Sequence, residues 1–281
     1  MDPLALVLVT AGIASAACWI LSLLTRDTSW VDRAWSLVPV AYVWIFAIAG
    51  LAKGVDAARL VLMALLVTAW GARLTFNFAR KGGYTGMEDY RWAILRGRMR
   101  PWQFQLFNLL FIVAYQMALL VLITLPANVA LQHPAPLTGW DVVFAALFLA
   151  LLVGETIADQ QQWAFHQRKK RAGGTLAPGF ATTGLFRYSR HPNFFFEQSQ
   201  WWAFYALGAT AAVASGAGFL GGALNASILG AFLLSILFIG STIFTESITA
   251  SKYPAYADYR RTTSMLVPWP PRTRPVAEPA A

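Results

Sequence analysis

The stretch QSQWWAFYALGATAAVASGAGFLGGALNASILGAFLLSILFIGSTIFT, Gln198 to Thr245, contains no charged residue. A bilayer core about 30 Å thick takes roughly 20 apolar residues per helix, so this stretch suits two crossings divided at Ser215-Gly216-Ala217-Gly218. Outward from it, similar runs predict further membrane helices. Together they lie at about 4–24, 32–52, 58–80, 103–125, 140–165, 194–214 and 220–245. A chain that is 57% apolar and 12% charged is too poor in charge for a soluble domain. The expected fold class is therefore all-α, a polytopic membrane protein of seven transmembrane helices in a single domain over 1–281. The proline-rich end, 268–281, reads as a flexible tail. No basic residue precedes the first apolar segment, and Thr25-Arg26-Asp27 makes a poor cleavage site, so it reads as a helix and not a signal peptide. Cys18 is the one cysteine, which excludes an internal disulfide.

In a soluble protein a net charge of +9 would suggest nucleic acid, but here the placement of the basic residues matters more than their sum. Arg80, Lys81, Arg91, Arg96, Arg98 and Arg100 follow the third segment. Arg168, Lys169, Lys170, Arg171, Arg187 and Arg190 follow the fifth, and Lys252, Arg260, Arg261, Arg272 and Arg274 follow the seventh. The connections on the other side, near 53–59, 126–139 and 215–219, hold only Lys53 and Arg59. The positive-inside rule then places the amino terminus outside and the carboxyl terminus in the cytoplasm. That arrangement needs an odd number of spans, in agreement with seven.

Ionisable groups in or beside membrane helices are costly, so each is a functional candidate. Asp32 and Arg33 head the second segment, Arg73 lies in the third, Glu155 and Asp159 in the fifth, Glu197 at the start of the sixth and Glu246 at the end of the seventh. Nearly all sit at cytoplasmic depth, which points to one site open to the cytoplasm and not to a conduction path. Interhelical salt bridging, for example Arg73 with Glu155 or Asp159, is the structural alternative. With three histidines and no His-Glu-x-x-His or histidine boxes, metal chemistry is not expected. A P-loop and Gly-x-Ser-x-Gly are also absent.

Three patches are dense in functional side chains. Gly184-Leu-Phe-Arg-Tyr-Ser-Arg-His-Pro-Asn-Phe-Phe-Phe-Glu197 stands directly before a helix whose free N–H groups could receive an anionic cofactor. Trp70, Arg73, Asn77, Arg80 and Lys81 follow the three-to-four spacing of one helical face and continue into Glu88-Asp89-Tyr90-Arg91-Trp92. The third patch is Glu246, Tyr253, Tyr256, Tyr259, Arg260 and Arg261, where rings spaced by three could sandwich an adenine beside a phosphate. A surface helix on the membrane would show the same pattern.

At these residues the chain resembles the membrane-embedded steroid 5-alpha-reductase family, including its bacterial branch. The likeness runs through Gly184 to Trp201 and Glu246 to Pro268, and in the amino half through Ser29-Trp-Val-Asp-Arg-Ala-Trp35 and Glu88 to Arg91. The resemblance implies seven helices around an NADPH-filled cavity open to the cytoplasm, in the inner membrane of a bacterium. It implies that Asn193 and Glu197 face the nicotinamide end and that Asp159 lies near the adenosine half. With the three patches, the remaining residues expected to bind the cofactor are Arg73, Asn77, Lys81, Glu88, Asp89, Tyr90, Arg91, Arg168, Arg187, Tyr188, Arg190, His191, Glu246, Tyr256, Tyr259 and Arg260, with no metal. The animal enzymes place a Gln-Glu pair near Asp32 and a tyrosine near Trp70 to grip the substrate carbonyl. Here one carboxyl and a tryptophan stand instead, so the substrate is the least fixed part of the likeness.

The implied reaction reduces a carbon–carbon double bond conjugated to a ketone, on a steroid-like or other apolar enone drawn from the bilayer. Charge builds on the carbonyl oxygen as hydride arrives, so a donor there lowers the barrier. The implied catalytic residues are Asp32, Glu197 and Trp70. Arg-His-Pro and the Glu246 and Tyr256 ending occur also in S-adenosylmethionine-dependent isoprenylcysteine and phospholipid methyltransferases. Those continue with an aromatic residue and a glycine, where this chain has Asn193 and Glu197.

Overall fold

The computed structural model describes residues 1–272. Among them the chain is helical, without a strand, apart from one bridge between Ser189 and Ser264. It divides into two compact units. Unit 1 comprises Met1–Leu147 and Trp201–Leu234, and unit 2 comprises Phe148–Gln200 and the chain from Ser235 onward.

Unit 1 begins with α1, Pro3–Thr25, whose first turn is closed by the Asp2 carboxylate accepting from Ala5 N at 3.0 Å. It ends where Arg26 turns left-handed. The second expected span is one apolar stretch broken in two, α2 (Trp30–Trp35) and α3 (Val38–Ala52), with Pro39 in the first turn after the break. Then come α4 (Ala58–Arg80), the short α5 (Tyr90–Arg98) and α6 (Pro101–Phe107). α6 runs into a π-helical segment, Asn108–Tyr115, and on into α7, Gln116–Gln132. Leu60, Met63, Ala64, Val67, Trp70 and Gly71 form the buried stripe of α4 at helical spacing. Helices α1, α3, α4 and α7 pack on one another. α11 approaches α7 so closely that a side chain at Gly230 would meet the Leu122 carbonyl, the small-residue contact expected between helices that have no water to exclude.

One ion pair is buried within this unit. Arg59, 2% exposed, donates to both oxygens of Asp141, 0% exposed, at 2.6 and 2.8 Å. It also reaches the carbonyls of Ala135 and Pro136, while Thr138 supplies two more donors to Asp141. Both charges are paired and hydrogen-bonded, the condition under which such a pair is tolerated in an interior.

Unit 2 is built on the later part of α8 (Gly139–Arg171), the start of α9 (Pro192–Ala212) and most of α11 (Ile228–Lys252), with α12 at Tyr256–Thr262. Between α9 and α11, in unit 1, lie a π-turn at Val213–Ala217 and the five-residue α10, Phe219–Ala223. Gly216 and Gly218, both at positive φ, make the break expected near 215–218.

Six helical stretches are long and apolar enough to cross a membrane among the described residues: Pro3–Thr25, Trp30–Ala52, Ala58–Arg80, Pro101–Gln132, Gly139–Arg171 and Ile228–Lys252. α9, the expected sixth span, is long enough but falls short in hydropathy because Asn193, Glu197, Gln198 and Gln200 crowd its first half. Several boundaries move. The fourth span continues to Gln132 and the fifth to Arg171, so Arg168 stands on a helix and not in a loop. The last span runs from Ile228 to Lys252 instead of 220–245, since Asn225 caps a turn before it and α10 is separate. Of the expected tail, residues 268–272 are held: Trp269 N donates to the Tyr188 carbonyl at 2.9 Å and Arg272 N to the Thr262 carbonyl at 3.0 Å. The rest, 273–281, lies outside the described residues.

Candidate functional site

The expected site residues fall into both units. In unit 2 the sequence Gly184 to Glu197 is shaped before it can act. Gly184 sits at φ +63°, and a side chain there would come within 2.5 Å of Gln161 Oε1, which accepts from Leu185 N at 2.8 Å. A short 3-10 turn, Gly184–Arg187, follows. Ser189 then bridges to Ser264, and Arg190 N and His191 N donate to the carbonyls of Ser264 and Met265. This pairing delivers the Arg-His-Pro segment to the first turn of α9.

Arg190 is committed there. Its Nε donates to Glu246 Oε1 at 2.6 Å, its Nη2 to Oε2 at 3.1 Å, and its Nη1 to the carbonyls of Arg260 (3.1 Å) and Thr263. His191 Nε2 lies 3.1 Å from Glu246 Oε1, and Arg260 Nε lies 3.4 Å from Oε2. Arg190, His191, Glu246 and Arg260, read from sequence as cofactor ligands, form a closed lock between α11, α12 and the loop before α9. Glu246 thus meets two guanidinium groups and the His191 ring.

Tyr256 and Tyr259 do not form an open sandwich. Both are buried against Phe180, with ring centroids at 4.9 and 5.3 Å, and the Tyr259 hydroxyl donates to the Phe186 carbonyl. Burial, with the Glu246 charge beside it, pushes the Tyr256 hydroxyl above its ordinary value; burial and then Tyr256 do the same to Tyr259. They are packing residues that stay protonated. Lys169 reinforces the same corner by donating to Tyr253 at 2.5 Å and Gly179 at 3.0 Å.

The other expected residues of unit 2 lie at the start of α9 and beside it. Asn193 is half-buried and its amide makes no hydrogen bond among the described residues, and Glu197 is buried one turn further on. Arg187 and Tyr188 are exposed, the guanidinium lying 5.9 Å from its neighbour's ring centroid. Asp159 and Glu155 are buried on α8, where Glu155 accepts from Gln200 at 2.6 Å. Arg168 is exposed on the last turns of α8.

In unit 1 the linker before α2 and the loop before α5 hold each other. Glu88 accepts from Thr28 N and Oγ1 at 2.9 and 2.8 Å and from Arg96 at 2.5 and 3.1 Å. Burial acts to raise its carboxyl, and the Arg96 and Thr28 donors outweigh it, holding Glu88 below its ordinary range. Asp89 N donates to Ser29 Oγ, and the Asp89 side chain caps α5 and grips Arg91 at 2.7 Å. Burial and Asp89 act oppositely on Arg91; the carboxylate prevails, and the guanidinium is more firmly protonated than usual. Trp92 Nε1 donates to Asp32 Oδ2 at 3.0 Å, fixing the orientation of that carboxyl. Arg33 binds Asp27 at 2.6 Å and the Gly83 carbonyl at 2.8 Å. Tyr90 is exposed and Lys81 half-buried. Asn77 accepts from Arg80 at 2.7 Å. Arg73 stands on α4 in this unit, and Trp70 is fully buried, edge-on to Trp201 with centroids 4.9 Å apart.

Sequence reasoning gave no site role to Trp92, Thr28, Ser29 and Arg96, although Trp92, Ser29 and Arg96 stood in stretches it had marked. It also passed over Gln161 and Thr263, for which no local pattern exists. No group of three or more potential ligands able to hold a metal ion occurs among the described residues.

The chain has a recognisable relative. The uncharacterized protein C594.04c of Schizosaccharomyces pombe is 36% identical over 283 residues, covering 95% of this chain and 80% of the yeast protein. No solved structure matches. The family described as "Protein of unknown function (DUF1295)", which is related to steroid 5-alpha-reductase-like proteins, matches residues 18–263. With most of its length matched, the chain belongs to the DUF1295 family.

Proposed function

We propose that the protein is an NADPH-dependent oxidoreductase that reduces the carbon–carbon double bond of a conjugated ketone on a steroid-like or other apolar lipid. The observation that carries the reading is the first turn of α9, where a half-buried Asn193 amide, without a hydrogen bond among the described residues, stands one turn before buried Glu197. The relation of the family to steroid 5-alpha-reductase-like proteins supports it. So does the continuation of Arg-His-Pro by Asn193 and Glu197 instead of an aromatic residue and glycine.

The residues present fit the cofactor. A nicotinamide carboxamide both donates and accepts, as the Asn193 amide does. Arg187 is exposed and pairs with no carboxylate among the described residues, so its fork is available for a phosphate. Arg190 is not, since Glu246 and two carbonyls occupy it. When bound, NADPH supplies hydride to the double bond.

The chain's own contribution is a donor at the carbonyl oxygen. Glu197 and Asp32 are the two carboxyls we assign to this work, and Trp92 holds the latter in one orientation. A hydrogen bond aimed at developing charge is worth more in the transition state than in the ground state. Glu197→Gln and Asp32→Asn variants divide the role: the true donor loses turnover with little change in NADPH affinity, and an Asp32→Asn variant with full turnover ends the claim of Asp32.

We place the amino terminus outside, with α9 as a seventh span and the site open to the cytoplasm. Of the two basic residues expected outside, Arg59 is neutralised by Asp141. Against Lys53 and Arg59 stand the three basic clusters expected in the cytoplasm, the asymmetry that supports this orientation.

The test is thermal stabilisation of the detergent-purified protein by NADPH against S-adenosylmethionine, followed by NADPH oxidation with a 3-keto-4-ene steroid. Stabilisation by NADPH, reduced about tenfold in apparent affinity by Asn193→Ala, is the expected result. Stabilisation by S-adenosylmethionine alone would transfer the site to methyl transfer.

A further inference from the structure

We propose that Val267 and Trp269, which follow the last span, form with Tyr188 a membrane-docking pad whose partner is the lipid headgroup zone at the carboxyl end of α11. Trp269 is 68% exposed, Val267 58% and Tyr188 40%. Three large side chains of apolar body thus stand uncovered in unit 2, on stretches outside any helix. Such a surface calls for a neighbour that removes it from water.

The backbone beneath these side chains is pinned. Trp269 N donates to the Tyr188 carbonyl at 2.9 Å, and Arg190 N and His191 N donate to the carbonyls of Ser264 and Met265 at 2.8 and 3.2 Å. The buried Ser189 hydroxyl donates to the Leu266 carbonyl at 2.6 Å. Leu266 is itself buried, whereas Val267 and Trp269 are exposed. A chain end tied down in this way does not fray, so the exposure belongs to the fold.

Two contacts set the depth of the pad. Phe194 packs on Phe238 of α11 with ring centroids 4.8 Å apart, and His191 Nε2 lies 3.1 Å from Glu246, eight residues further along α11. Following the chain back from Phe194 to His191 therefore climbs about 12 Å along α11, at 1.5 Å per residue. Glu246 is the first charge after the run that begins at Gln198, and so marks the edge of the hydrocarbon; α11 ends at Lys252. Tyr188, three residues before His191, and Trp269, bonded to it, fall beyond that edge, level with the last turns of α11. The headgroup zone extends roughly 5–7 Å from the hydrocarbon on each side. Tryptophan and tyrosine favour this zone because each joins an apolar body to a polar tip. Arg272, exposed three residues after Trp269, adds a cation that lipid phosphate complements. At this depth lipid, and not a soluble partner, is the neighbour. The pad thereby holds the segment entering α9 at a fixed level of the membrane.

The pad depends on α11 as a span and not on the proposed reaction. The full chain is reconstituted in phosphatidylcholine nanodiscs, plain or containing lipid brominated either in the upper part of its acyl chains or near their ends. The chain has twelve tryptophans, so the emission of Trp269 is read as the difference between wild type and Trp269→Phe. That emission should lose most of its intensity to the upper bromines, less to the lower ones and little to iodide in the water. Quenching by iodide with no effect of either lipid would overturn the proposal and turn the pad to water. Stronger quenching by the lower bromines would overturn the headgroup placement. A second probe needs no difference spectrum: Val267→Cys in a Cys18→Ala background, labelled with an environment-sensitive fluorophore, should emit further to the blue than the free dye in buffer. Emission from the label as in water would overturn the proposal as well.

Discussion

Replacing Glu246 by glutamine tests whether this buried acid of unit 2 is a lock or a ligand. Glu246 is 4% exposed at its side chain and meets Arg190, 8% exposed, through bonds of 2.6 and 3.1 Å, with His191 at 3.1 Å and Arg260 at 3.4 Å. Glutamine keeps the shape and one acceptor but removes the charge, leaving the Arg190 guanidinium buried against neutral carbonyls. Breaking a buried pair in this way costs about 3–5 kcal/mol, and the retained acceptor favours the lower end. At roughly 2–4 °C per kcal/mol for a large domain, about 3 kcal/mol lowers the melting temperature by roughly 6–12 °C. Intrinsic tryptophan fluorescence of the detergent-purified protein follows the transition. Arg190→Met should cost a similar amount, and the double variant Arg190→Met with Glu246→Leu less than the sum, since a pair removed together leaves no lone charge. Unchanged melting of Glu246→Gln, combined with loss of NADPH stabilisation, would refute the lock and return Glu246 to the cofactor.

The Arg59 and Asp141 pair makes a parallel prediction in unit 1: Asp141→Asn strands a guanidinium that is 2% exposed, with an expected loss of about 3–5 kcal/mol in chemical denaturation. Glu88 gives a pH signature. Its folded carboxyl lies below the ordinary value of 4.5, so the unfolded chain binds the proton first; the stabilisation is present above that value and is lost as pH falls through the folded one. Glu88→Gln should flatten the fall in stability on acidification, and an unaltered acid limb would show that the Thr28 and Arg96 contacts do not matter. Gly184→Ala must hold alanine at φ +63° and displace Gln161, so it should destabilise by about 2 kcal/mol, seen as earlier melting.

The spans were legible because charge-free runs of about twenty residues have one physical explanation. The division near Gly216 was legible for a related reason, since glycine clusters break helices. Where spans stop was less so. No stop signal stands between Trp163 and Arg171, and a basic run continues a helix as readily as it ends one, so α8 outlasts its apolar part. The patch at Gly184 to Glu197 was found from its composition, but not the division of labour inside it. Arg190 and Arg187 look alike in sequence. Only the fold reveals that one faces Glu246, 56 positions away, and the other faces solvent. Trp269 was hidden for the opposite reason: a proline-rich end with one tryptophan is ordinary, and its pinning to Tyr188 is a property of three-dimensional packing.

The bridge from Ser189 to Ser264 has a consequence for biosynthesis. Arg190 takes two of its acceptors from residues 260 and 263, and the Tyr188 carbonyl takes its donor from Trp269. None of these exists while the ribosome is still making α9, α10 and α11. The segment leading into α9 must therefore wait for these backbone partners until the chain has been translated through Trp269. Release at residue 258 would leave Arg190 with Glu246 but without the Arg260 and Thr263 carbonyls. Residues 260–269 act as the clasp that closes this segment.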